Sequence, residues 1–161
     1  MLTFEQMLLR FALALVLGAL LGLERELVGK ESAGIRTTML VTSGAAIFTM
    51  VGLALPYIVS ADTGNLADVV ARNSGYLTMI ANVVVGVGFL GAGLIIKNED
   101  RPHGVTTAAL IWTAAAIGVL VGVGLNEFAT VAAIVIAVLL YLLRKLNVSE
   151  KLERNVPPAG K

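Results

Sequence analysis

Two short motifs close together concentrate charge: Glu24, Arg25 and Glu26 in Gly22-Leu-Glu-Arg-Glu-Leu, then Arg36 in Ala33-Gly-Ile-Arg-Thr-Thr. Carboxylate oxygens are what a hydrated Mg²⁺ prefers, usually one or two of them beside retained waters, so Glu24 and Glu26 are the candidate metal ligands. Residues two apart on a helix point apart, and both carboxylates reach one ion only if the chain leaves the helix after Gly22. The alternating signs equally suit an Arg–Glu network that ties one helix to the next. A ligand or partner site and a structural lock are both open on these residues. Thr37 and Thr38 can cap a helix, and a helix N-terminus there favours an anion or a carboxylate such as that of Glu24. A second polar run, Lys97, Glu99, Asp100, Arg101 and His103, precedes Thr106 and Thr107. One loop histidine does not make a metal site.

Other chemistry is missing. The single histidine leaves no nucleophile-and-base pair, and with no cysteine, thiol catalysis, thiolate metal sites and iron–sulfur clusters are excluded. The glycine-rich run from Gly86 to Gly93 lies in an apolar stretch with no strand before it, so it is not a phosphate cradle. Ion-coupled carriers and proton relays usually place ionisable groups near the middle of a span, and no Asp, Glu, Lys or Arg stands there. The expectation is a protein that is not an enzyme, with the case for a carrier weakened.

The elements that must position these residues follow from composition. Of 161 residues, 57% are hydrophobic and 14% charged, against roughly 25% charged in soluble domains, and the mean hydropathy is +0.87. Charge gathers near 24–36, 97–103 and 144–161, which leaves long apolar stretches between. The expected fold is an all-α integral membrane protein, a bundle of about five transmembrane helices embedded in a lipid bilayer. Leu2 to Leu23, Thr37 to Val59, Leu77 to Ile96 and Val105 to Leu125 each reach the roughly 20 residues of a span. Phe128 to Leu143 is marginal unless it starts earlier, through Leu125 and Asn126. A short interfacial helix fits between Ser60 and Tyr76. The transmembrane unit is read as 1–146, followed by a polar tail at 147–161.

Ten of the twelve Lys and Arg fall in the first loop, the third loop and the tail, leaving Arg10 and Arg72 on the other side. The positive-inside bias puts the N-terminus outside and the C-terminus in the cytoplasm, which requires an odd number of helices. A net charge of +1 gives no reason to expect nucleic acid as a partner.

Small residues recur every four positions at Ala14, Gly18 and Gly22 and at Ala114, Gly118 and Gly122, with Gly88 and Ala92 in the third helix. Such stripes let helices approach closely in lipid, either within one chain or across a homodimer. Asn82 and Trp112, inside spans, read as packing or interhelical hydrogen-bonding residues.

In order along the chain, Gly18-Ala-Leu-Leu-Gly-Leu-Glu-Arg-Glu, Ala33-Gly-Ile-Arg-Thr, Gly86-Val-Gly-Phe-Leu-Gly-Ala-Gly and Gly104-Val-Thr-Thr-Ala-Ala-Leu-Ile-Trp resemble the transmembrane domain of the MgtC/SapB family. The resemblance implies a bacterial inner-membrane bundle associated with growth at low Mg²⁺ and, in some pathogens, with survival in host cells. It implies a modulator of other membrane machinery, with ATP synthase or ion pumps among the proposed targets. It carries the family's polar blocks to Glu24, Arg25, Glu26, Arg36 and Thr37, and its glycine and threonine blocks to Gly88, Gly91, Gly93, Thr106, Thr107 and Trp112. The sequence departs in lacking the soluble C-terminal domain of many members and in a long outer loop.

Three functions are therefore expected to compete. One is a regulator that binds a membrane protein partner through glycine-faced helices and its charged rim and supports Mg²⁺ homeostasis indirectly. Another is a Mg²⁺ or other cation carrier or channel using Glu24 and Glu26, where carboxylates from several subunits compensate for few per chain. The third is a homodimeric scaffold.

Overall fold

The computed structural model describes residues 2–27, 33–60, 67, 68, 71, 75–98 and 101–146. Its helices are α1 (Phe4–Leu27), α2 (Ile35–Val59), α3 (Gly75–Leu94), α4 (Val105–Val123) and α5 (Asn126–Lys145). Between α3 and α4, β1 (Ile96–Asn98) and β2 (Arg101–His103) pair antiparallel, with Ile96 opposite His103 and Asn98 opposite Arg101. The all-helical bundle expected from composition is the fold, and the polar run before Thr106 forms a small hairpin within it.

A helix satisfies its own backbone, which is what hydrocarbon demands of any segment crossing it. By length and composition α1, α2, α4 and α5 are each able to cross a membrane. The marginal fifth segment reaches 20 residues because the helix starts at Asn126 and runs to Lys145. The third, Gly75–Leu94, spans 20 residues as well. The expected interfacial helix between Ser60 and Tyr76 lies mostly outside the described residues, as does the tail from Asn147.

Helix α2 occupies the centre, packed against α1 on one side and α4 on the other. Four of its polar side chains face inward: Thr38, Thr42, Ser43 and Thr49 are all buried. Each hydroxyl donates back to its own helix, Thr38 to the Ile35 carbonyl at 3.0 Å, Thr42 to Thr38 at 2.7 Å, Ser43 to Leu40 at 3.3 Å and Thr49 to Ala45 at 2.8 Å. Buried and paired, they leave a slim helix that neighbours can approach closely.

The glycine stripes supply that approach. A Cβ on Gly18 would stand 2.8 Å from the Met39 Cα, and one on Gly22 would strike the Thr38 hydroxyl. From the other side, a Cβ on Gly118 would strike the Thr42 carbonyl, and one on Gly122 would come within 2.6 Å of the Thr49 Cβ. These four glycines therefore face α2 within the chain. Around them Ala14, Leu17, Leu21, Met50, Leu110 and Val121 form the apolar core.

At the far end from Glu24, α4 stops on Gly124, whose φ of 104° is the left-handed conformation open to glycine. The Gly124 N–H donates to the Val121 carbonyl at 3.0 Å and the Leu125 N–H to Leu120 at 2.9 Å, the paired bonds of a Schellman turn. The Asn126 amide oxygen is buried beside this turn with no hydrogen-bond partner among the described residues. Arg10 of α1 reaches the turn, donating from Nη1 to the Gly122 carbonyl at 2.7 Å. A cation there satisfies a terminal carbonyl and opposes the negative end of the helix dipole.

Candidate functional site

Alternating helix directions gather the end of α1, the start of α2, the hairpin, the start of α4 and the end of α5 at one rim. Among the described residues, this rim carries Arg25, Glu26, Arg36, His103, Arg144 and Lys145. Helix α1 does not leave its helical path after Gly22 but continues to Leu27. Glu24 and Glu26 therefore stand two positions apart on a regular helix, about 200° around its axis. The side chain of Glu24 lies outside the described residues, so the Glu24–Glu26 pair as Mg²⁺ ligands has no geometry here.

Glu26 is exposed and has a definite task. Its Oε2 accepts the Ile35 N–H at 3.2 Å, at the first residue of α2. The N-cap residue is Gly34, which has no side-chain oxygen to offer, so the preceding helix provides the carboxylate. A Cβ on Gly34 would collide with that carboxylate. Capping by Thr37 or Thr38 is thus replaced by capping from Glu26: the helix starts at Ile35, ahead of both threonines. Arg25, only 6% exposed, turns into the bundle, while Arg36 is exposed and Thr37 half-buried. The last turn of α5 joins the rim through Arg144, whose Nη2 donates to the Leu27 carbonyl at 3.4 Å, a long and therefore weak bond.

Across the rim, Thr106 is exposed and Thr107 buried, so the threonine pair divides between surface and core. Gly104, at φ 88°, turns the hairpin into α4 where a Cβ would strike the Leu94 carbonyl. His103 is exposed, and Glu99 and Asp100 lie outside the described residues. Among the described residues no group of three metal-ligating side chains comes together. Arg36, Glu26, His103 and Thr106 present an exposed mixed-charge surface at this rim, and Arg25 is buried.

The glycines of α3 differ from the other two stripes. Gly91 meets Ala108 of α4 at ordinary contact distance, whereas added Cβ atoms on Gly88 and Gly93 would meet nothing within 4 Å. An apolar cleft of about 610 Å³ opens between α2 and α3, with Asn82 as its amide. Asn82 and Trp112 are both exposed, and neither side chain hydrogen-bonds to a described residue.

Sequence reasoning counted Arg10 only for topology and missed its capping role. The signal was available, because a guanidinium in an apolar helix requires a partner, and helix ends offer carbonyls.

The family model described as the MgtC family matches residues 11–149. A curated protein named Protein MgtC from Brucella abortus is 38% identical over 133 residues, which are 83% of this chain and 49% of that protein. Protein MgtC from Salmonella typhimurium is 38% identical over 82% of this chain and 50% of its own length. An uncharacterized protein from Synechocystis is 34% identical over 89% of this chain and 55% of its own. The chain thus spans about half the length of the curated relatives it matches. No solved structure shows a significant similarity to it. The matched region takes in α2, α3, α4 and α5 whole and α1 from Phe11 onward, and the chain belongs to the MgtC family.

Proposed function

We propose that this chain is a regulator seated in the bacterial inner membrane, supporting Mg²⁺ homeostasis by acting on other membrane machinery, ion pumps or ATP synthase among the candidates. The observation that carries this reading is the closed centre of the bundle. The buried hydroxyls of α2 are bonded to their own helix, and Gly18, Gly22, Gly118 and Gly122 bring α1 and α4 against its backbone, which leaves no polar path along that axis among the described residues. Exposed charge at the basic rim, Glu26, Arg36, Arg144 and Lys145, stands where a partner protein can reach it.

A photoreactive residue at the exposed Thr106, introduced into the full chain in cells grown at low Mg²⁺, tests this directly. The expected result is a crosslink to a membrane protein that reverse-charge substitution Arg36→Glu reduces. Crosslinks to lipid alone, with full complementation of low-Mg²⁺ growth, would contradict it. The second reading, a cation carrier or channel, is favoured by Glu24 and Glu26 at the rim, and flux separates it from the first.

A further inference from the structure

We infer that α3 is the face through which two copies of this chain associate, with Asn82 of each copy hydrogen-bonded to Asn82 of the other. The inference is independent of which membrane process the chain serves.

Helix α3 is poorly covered by its own bundle. Among its described side chains only Gly91 is buried, while Val85 is 72% and Phe89 85% exposed. Exposure to lipid is no puzzle by itself. The outer face of α5 presents Phe128, Val131, Val135, Val138, Leu139 and Leu142, all hydrocarbon, and acyl chains suit it. The outer face of α3 differs by one amide.

Asn82 stands about 4 Å along the axis from the middle of α3 at 1.5 Å per residue, exposed and without a hydrogen bond to any described residue. An amide left in hydrocarbon is penalised, and polar side chains there pair across helices. A second copy is the occupant that answers this by symmetry. Two chains inserted in the same direction share a twofold axis along the membrane normal, which sets identical residues at identical depth. The amide is also self-complementary, each copy offering one N–H donor and one C=O acceptor.

The spacing supports the same partner. Asn82, Gly86, Phe89 and Gly93 follow one another at steps of four, three and four, the 3.5-residue seam of two helices packed in parallel. Gly86 and Gly93 leave open space where side chains would stand, on either side of the projecting Phe89. A single asparagine in such a seam specifies register and partner number. The cleft beside α3, walled by Gly44 and Phe48 of α2, gives the second helix room to settle.

The test uses the full chain in membrane vesicles, where the lack of native cysteine makes single-cysteine oxidation clean. Phe89→Cys is expected to yield a disulfide-linked species of twice the chain mass, and Leu139→Cys on α5 at least tenfold less. Adding Asn82→Leu lowers the Phe89→Cys yield about tenfold, and Asn82→Gln restores most of it. Gly93→Leu, which fills the seam without touching the amide, lowers the yield as well, and circular dichroism shows unchanged helicity in each variant. Equal yields at Phe89→Cys and Leu139→Cys, an adduct to a different protein in place of the double-mass species, or indifference to both Asn82→Leu and Gly93→Leu would overturn the proposal.

Discussion

Glu26 sits in a motif that invites a metal reading, yet its described partner is a backbone amide. Removing the carboxylate by Glu26→Ala leaves the first amide of α2 without its acceptor and is expected to cost about 1 kcal/mol. Glu26→Gln retains an acceptor and costs less, and thermal unfolding in detergent distinguishes the two variants. The core glycines respond more severely. Gly118→Val drives a branched side chain into the α2 backbone at Thr42, so destabilisation of about 1–3 kcal/mol or failure to fold is expected. The same substitution at Gly88, where nothing lies within 4 Å, changes the unfolding temperature little. The charged stretch and the stripes were legible as types at a spacing. Which atom each one meets was not, because Glu26 and Gly118 find their partners across a loop and across the bundle.

At the scale of elements, apolar length and the spacing of charge are enough to place all five helices, and the differences lie at their ends. Glu24, Arg25 and Glu26 look like loop in a hydropathy reading because hydrocarbon rejects charge, but a helix extending beyond the apolar layer into water loses nothing by carrying them. Asn126 and Glu127 look like a break for the same reason, although Gly124 alone makes the turn. Gly124→Ala forces a side chain into a left-handed backbone and against the Arg10 guanidinium, whose Nη2 would stand 2.6 Å from the new Cβ. A cost of about 1–2 kcal/mol from the backbone alone is expected. Faster amide exchange in the last turn of α4 would report it, and unchanged exchange there would count against the role given to this turn.

For the whole molecule, α2 clasped between α1 and α4 forms a tight half, with α3 and α5 laid against it. Ten of twelve Lys and Arg fall in segments that join or follow this bundle at one rim, so that rim is expected to face the cytoplasm. Thr106→Cys, exposed at the basic rim, should react with an impermeant maleimide only after the cells are opened. Glu127→Cys, exposed at the opposite rim, should react in intact cells, and the reverse pattern would invert the topology.

The reading of a regulator rather than a conduit rests on the closed α2 axis, and Mg²⁺ entry into liposomes bearing the purified chain and an internal Mg²⁺ indicator tests it most directly. Entry no faster than in protein-free liposomes is the predicted result. Saturable, Mg²⁺-selective entry that disappears in the Glu24→Gln, Glu26→Gln variant would contradict it.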